Sequence, residues 1–180
     1  MHAIITFTKE DFLTNYLFVV SKSKAITRMR RRGVFVLSGW LLLMAIVFYF
    51  LEDLTWMWYC IAASCAAFIL FPQLQKLVYK KQYKKFVLEK FGKLQDVPFD
   101  ITLTADKFIY KNIFSDVSLN TSQIENISET ADYFFVKFHS QDTITLPKRS
   151  FDYNELNSLL TDIAQANNVS INRELEWKWK

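Results

Sequence analysis

The stretch VFVLSGWLLLMAIVFYFLEDLTWMWYCIAASCAAFILF, residues 34–71, decides how the rest of the chain is read. It divides into two runs, residues 34–51 and 54–71, each of 18 residues without a charged side chain, separated only by Glu52 and Asp53. As helix, a run of 18 residues rises about 27 Å at roughly 1.5 Å per residue, close to the roughly 30 Å of a bilayer's hydrocarbon core. A buried hairpin in a soluble protein would have to hide every face of both helices, and a chain of 180 residues has too little mass left to cover them. A cleaved signal peptide fits less well, because the first run begins late and a second follows at once. The two runs are therefore expected to form a transmembrane hairpin.

Outward from the hairpin, charge sets the orientation. Residues 22–32 hold six basic side chains and no acid, namely Lys22, Lys24, Arg28, Arg30, Arg31 and Arg32. Residues 76–93 hold seven lysines against Glu89. Basic flanks outside the hairpin and an acidic turn within it place both termini in the cytoplasm by the positive-inside rule, and a multi-pass protein of a bacterial inner membrane is expected. Arg28, Arg30, Arg31, Arg32, Lys76, Lys80, Lys81, Lys84 and Lys85 are the expected contacts to lipid headgroups. The formal net charge of +4 conceals an acidic remainder, since residues 94–180 carry 8 basic and 13 acidic side chains. That division indicates membrane-surface anchoring, with no nucleic-acid partner. Trp56, Trp58, Tyr59 and Tyr49 suit an aromatic belt at the outer interface. Small residues at 62–67 suggest a surface for close helix packing. The absence of Asp, Glu, Lys, Arg and His within the runs argues against a channel or proton relay.

On the N-terminal side, Ile4, Ile5 and Phe7 suit a short strand. Thr8 with Asp11 has capping-box spacing, and Phe12, Leu13, Tyr16, Leu17 and Val20 recur with helical period. An isolated strand would leave both edges open, so it is expected to join a sheet built by the C-terminal part. The organisation reads as residues 1–32, strand and amphipathic helix with a basic linker; 33–71, the membrane hairpin; 72–96, a basic stalk helix; and 97–180, a cytoplasmic domain. Pro72 is expected to start a new helix or kink the old one, and Gly92 to stop the stalk.

From Val97 the period changes to two. FDITLT alternates, Ala105 and Asp106 make a turn, and DYFFVKFH and DTITLPKR read as strands joined around SQD. Leu156, Leu159, Leu160, Ile163 and Ala164 form one apolar helical face. Antiparallel strands closed by a C-terminal helix make an α+β domain.

The segments ITLTADKFIY, SQIENISETADYFFVKF and ITLPKRSF, following a strand, a helical hairpin and a lysine-rich stalk, resemble the YcxB-like family of small bacterial membrane proteins. The most specific part is the pattern of Ile124, Ile127, Glu129, Tyr133, Phe134, Phe135 and the LPKRSF close. The resemblance implies a bacterial pleckstrin-homology-like (PH-like) fold, a bent antiparallel sheet capped by a C-terminal helix, and implies no catalytic residue. The family's glycine turn has no counterpart in NIFSDVSL.

The inventory for catalysis is poor. His2 and His139 lack a nucleophile setting, and three glycines form no phosphate loop. Cys60 and Cys65, both in the second run, point to different helix faces and suggest neither metal nor disulfide. No enzyme activity, cofactor or metal is expected. Lys148 and Arg149 admit three readings: side chains that hold the domain together, contacts to anionic headgroups, or a clamp for a phosphate or carboxylate. The structural reading ranks first, because Pro147 ends a strand and Asp152, three residues before Glu155, is placed to cap the next helix. Tyr133 and Phe135 lie on the sheet face opposite Phe134, Val136 and Phe138, and are candidate contacts for a partner, as are Lys148 and Arg149. The function expected is non-enzymatic binding of membrane lipids and of an unidentified protein or peptide by a cytoplasmic domain at the bilayer surface. The alternative is an immunity protein that neutralises a toxin acting at or across the membrane.

Overall fold

A computed structural model describes residues 1–91 and 97–179. They form two compact units, residues 17–85 and residues 1–16 with 86–179.

The unit of residues 17–85 is dominated by two long helices. After α1 (Lys9–Lys22), Ser23 caps α2 (Lys24–Phe50) by accepting from the Ile26 amide at 3.4 Å. The basic residues 24–32, expected as a linker, are therefore helical, in keeping with the good helix propensity of arginine. The turn LEDL closes tightly with Glu52 in the left-handed region, φ 60°. Asp53 then accepts from the Trp56 amide at 3.2 Å, at the start of α3 (Leu54–Phe91). α3 passes through Pro72 without ending, so the first apolar run's partner and the lysine-rich stalk are one helix. The stop expected at Gly92 and the last stalk residues, 93–96, lie outside the described residues.

Between α2 and α3 the Ser64 hydroxyl donates to the Ser38 carbonyl at 3.0 Å, and both serines are buried. Of the small residues expected to form the packing stripe, Ala62, Ala63, Cys65 and Ala66 are exposed instead. Consecutive residues advance about 100° around a helix, so a run of six circles it and only part can face a partner. Both helices are long and apolar enough to cross a membrane. Large side chains such as Phe35, Trp40, Leu43, Trp58 and Ile69 are exposed along them.

The other unit is α+β. Strands β1 (His2–Thr6), β2 (Pro98–Leu103), β3 (Lys107–Lys111) and β4 (Asp116–Asn120) form one antiparallel sheet in that order. β1 pairs with β2 from His2 opposite Thr102 to Thr6 opposite Pro98, so the N-terminal strand joins the C-terminal sheet as its pattern required. A second sheet has the order β7-β6-β5-β8, from β5 (Ile124–Glu129), β6 (Tyr133–Phe138), β7 (Thr143–Pro147) and β8 (Ile171–Arg173). β8 is parallel to β5 and the other pairs are antiparallel. The segment ELEWKWK begins just past β8, and Trp179 within it is buried.

One core joins the sheets to α4 (Tyr153–Ala166). Alternation sends Phe99, Ile101 and Leu103 of β2 and Phe134, Val136 and Phe138 of β6 into it, all at most 2% exposed. Leu156, Leu160, Ile163 and Ala164 close it from one face of α4. Phe108 and Phe138 meet edge to face at 6.1 Å, linking the two sheets. Burying such a side chain contributes about 1.5–3 kcal/mol, so these rings dominate the unit's cohesion. Where a glycine turn is missing between β3 and β4, Asn112 Oδ1 accepts from the Phe114 amide at 2.7 Å, from the Ser115 amide at 2.7 Å and from the Ser115 hydroxyl at 3.2 Å. An asparagine side chain thus replaces the turn that glycine would allow.

Candidate functional site around two buried carboxylates

The LPKRSF segment occupies the junction where β7 ends at Pro147, a single 3-10 turn spans Lys148–Ser150, and α4 follows. Asp152 caps α4 by accepting from the Glu155 amide at 2.9 Å. A 3-10 turn rotates about 120° per residue, so neighbouring Lys148 and Arg149 point in different directions. Each meets its own buried carboxylate.

Arg149 reaches Asp11, whose side chain is 1% exposed. Its Nη1 donates to Oδ1 at 2.8 Å and its Nη2 to Oδ2, a bidentate fork. The Tyr133 hydroxyl donates to Oδ1 at 2.8 Å. Thr8 donates to Oδ2 twice, from its amide at 2.7 Å and its hydroxyl at 2.8 Å. The Asp11 amide donates back to Thr8 Oγ at 3.3 Å, which completes the capping box at the start of α1. Burial alone would raise the Asp11 pKa, but the bonds from Arg149, Thr8 and Tyr133 overcome it and bring it down to about 2. Burial and the bond to Asp11 push the Tyr133 hydroxyl up to about 12. Its own hydrogen bonds to Asp11 raise Arg149 above its ordinary range.

Lys148 turns to Glu129, the last residue of β5. Its Nζ donates to Oε1 at 2.7 Å, with the two side chains 16% and 3% exposed. The Tyr153 hydroxyl donates to the same oxygen at 3.1 Å, and Arg173 Nε stands 3.4 Å from Oε2. The Lys148 ammonium also lies over the rings of Phe134, at 4.9 Å, and Tyr153, at 5.1 Å. Its bond to Glu129, with some burial, raises the Tyr153 pKa.

Chemically, Asp11 and Tyr133 are both held far from neutrality, whereas a general acid or base works best with a pKa near the operating pH. Among the described residues no group of three or more His, Cys, Asp or Glu side chains gathers as a metal site. The anions that Lys148 and Arg149 hold are the chain's own. Lys148 is largely enclosed, while Arg149 keeps 49% of its side chain exposed. Tyr133 is half-buried against Asp11, and Phe135 is 1% exposed, inside the protein. The sheet face that Tyr133 and Phe135 share is thus covered, at Tyr133 by the first turn of α1.

The two carboxylates were only partly visible beforehand. Asp11 was marked by its spacing from Thr8, which gives the cap and says nothing of a partner far along the chain. Glu129 stood in the motif without a role. Arg173 carried no signal. The expected headgroup contacts fall into two helical groups: Arg28, Arg31 and Arg32 are exposed and Arg30 half-buried in the first turns of α2, and Lys76, Lys80, Lys81, Lys84 and Lys85 are exposed on α3.

Residues 103–160 match the model of a family described as YcxB-like protein. The matched stretch contains Glu129, Tyr133, Lys148 and Arg149 and excludes Asp11 and Arg173. No curated protein and no solved structure gives a significant match.

Proposed function

We propose that the chain is a non-enzymatic protein of the bacterial inner membrane, anchored by α2 and α3, that presents a PH-like unit to a protein or peptide partner at the bilayer surface. Two four-stranded sheets over one core closed by α4 fit a PH-like reading. The anchor reading draws on the exposed apolar sides of α2 and α3, whose most apolar windows are only 17% and 6% buried within the chain. A core helix of a soluble protein would be mostly covered.

The observation that carries the binding role is the edge of the first sheet. β4 is its outer strand, and it and the preceding turn leave Ile113 73%, Phe114 65% and Val117 38% exposed. Edge strands offer unpaired amides and carbonyls, and natural sheets guard them with charge, proline or short length. Here the guard is the exposed Lys111–Asp116 ion pair at 3.2 Å, beside an apolar rim. An extended segment of another protein would add to β4 through main-chain bonds and seat apolar side chains against that rim.

Photo-crosslinking residues placed at Phe114 and Val117 in living cells test this. A discrete adduct from these positions, absent from a probe at Asp162 on α4 and lost with Val117→Lys, supports the reading. No adduct, or the same adducts from Asp162, refutes it. Carbonate washing of membranes tests the anchor separately, and release of the chain would remove it. A reporter joined to the C-terminus tests orientation, and activity on the outer side of the membrane would overturn it.

A further inference from the structure

β4 closes the first sheet on one side, and among the described residues no strand pairs with its outer edge. Hydrogen bonds at its two ends fix which residues face that edge. The Asn112 amide donates to the Ser115 carbonyl at 2.8 Å, and the Thr121 amide to the Asp106 carbonyl at 2.9 Å. Main-chain groups of an antiparallel strand alternate between its two sides, so Val117 and Leu119, in phase with Ser115 and Thr121, bond to β3. Asp116, Ser118 and Asn120 therefore direct their amides and carbonyls outward. Their side chains are all exposed.

The strand DVSLN is complementary to itself when run antiparallel. A two-fold axis at Ser118 sets this residue opposite Ser118 of a second copy, and Asp116 opposite Asn120 of that copy. Every outward residue then faces another, and each facing pair exchanges both main-chain bonds. The same register puts Val117 opposite Leu119 of the second copy on the core side. Within the chain Leu119 pairs with Phe108 and Val117 with Tyr110, so the apolar row of one copy runs on into that of the other.

Charge selects both the register and the partner. An axis at Asp116 would oppose two carboxylates, and one at Asn120 would run each strand into the 3-10 turn Thr121–Gln123. With the axis at Ser118, Asp116 stands between its own Lys111, 3.2 Å away, and Lys107 of the second copy, which pairs with that copy's Asn120. The main chains at Asp116 and the second Lys107 are about 10 Å apart, at roughly 4.8 Å per strand, a gap that the two side chains span. The turn before β4 comes to lie beside Thr121–Gln123 of the second copy. Ile113 and Phe114, 73% and 65% exposed, gain cover there.

We propose that β4 pairs with β4 of a second copy of this chain, joining the two first sheets into one across a two-fold axis at Ser118. The proposal rests on the reading of β4 as the binding edge and names its occupant. Such pairing closes on itself, so it satisfies an edge that otherwise invites further addition. A five-residue strand offers a small interface beside the roughly 1,200–2,000 Å² of stable complexes, and a shared bilayer supplies the effective concentration.

Ser118→Cys in the full chain tests this in isolated membranes under mild oxidation, with the free Cys60 and Cys65 replaced by serine. Hydrogen-bonded pairs hold their Cα atoms about 5.5 Å apart, within disulfide reach, whereas two Asp116→Cys chains would stand roughly 14 Å apart. Ser118→Cys should form a disulfide-linked dimer about tenfold more than Asp116→Cys or than Asp162→Cys on α4, and co-expressing Asp116→Cys with Asn120→Cys chains should restore it. Equal yields at all these positions, or no dimer from Ser118→Cys, overturn the proposal. A photo-crosslinking residue at Phe114 gives a second readout with both cysteines in place. An adduct of twice the chain's mass is expected, reduced about tenfold by Ser118→Lys, which opposes like charges at the axis, and regained when Ser118→Lys and Ser118→Glu chains are co-expressed. A dimer adduct indifferent to Ser118→Lys overturns the proposal. An adduct with a different protein overturns it while leaving the edge reading in place, and the absence of any adduct removes both.

Discussion

Arg149 and Asp11, 138 positions apart in the chain, meet through two parallel hydrogen bonds that tie the junction of β7 and α4 to the first turn of α1. The fork makes Arg149 a clasp between two distant segments, the first of the three roles its sequence context allowed. It also gives the N-terminal cap a task beyond starting a helix.

Breaking that clasp should cost stability in a graded way. Removing one partner of a buried ion pair costs about 3–5 kcal/mol, and the exposure of Arg149 lowers the figure through solvent screening. Arg149→Gln should therefore destabilise the unit by about 2–3 kcal/mol in urea unfolding of the detergent-solubilised chain. Arg149→Lys should recover less than half, because an ammonium cannot form the fork. Wild-type unfolding in both variants would show the clasp to be incidental.

Acid should release it. The folded pKa of Asp11 is about 2, below its ordinary 3.8. A lowered carboxyl pKa adds stability that is complete above the ordinary value and is lost as pH falls through the folded one. At about 1.4 kcal/mol per pKa unit, the loss amounts to about 2–3 kcal/mol, spread between about pH 5 and about pH 1. Asp11→Asn should flatten this part of the stability profile, and an unchanged profile would contradict the assignment.

The second pair behaves differently because both partners are enclosed. Lys148→Met should cost about 3 kcal/mol by leaving Glu129 with only Tyr153 and the exposed Arg173. The double variant Lys148→Met/Glu129→Gln should regain most of that loss, since it removes the buried charge along with its partner. A double variant as unstable as the sum of the two single ones would argue that Lys148 and Glu129 act independently.

At the β3–β4 turn, Asn112→Ala removes an acceptor that serves three donors. A loss of about 1 kcal/mol and faster amide exchange over residues 113–120 are expected, with Asn112→Asp retaining most protection. Unchanged exchange in Asn112→Ala would mean that the strands alone hold the turn.

Legibility followed the range of the interaction involved. Thr8 with Asp11 and Asp152 with Glu155 were readable as caps because each bond closes within three residues. The α4 face was readable for the same reason, with Leu156, Leu160, Ile163 and Ala164 separated only by helical turns. The small residues 62–67 misled, since composition marks a helix as able to pack closely without saying which side does so. Of the two outcomes open at Pro72, a new helix is excluded, because α3 continues on both sides of it.

By itself the sequence determined the two apolar helices, their basic ends, the change of period near Val97 and the closing amphipathic helix, because each follows from charge and periodicity along neighbouring residues. Only the tertiary structure decided what LPKRSF does. Which carboxylate meets Lys148 and which meets Arg149 depends on the 120° divergence of a 3-10 turn and on chain segments brought together across more than a hundred residues.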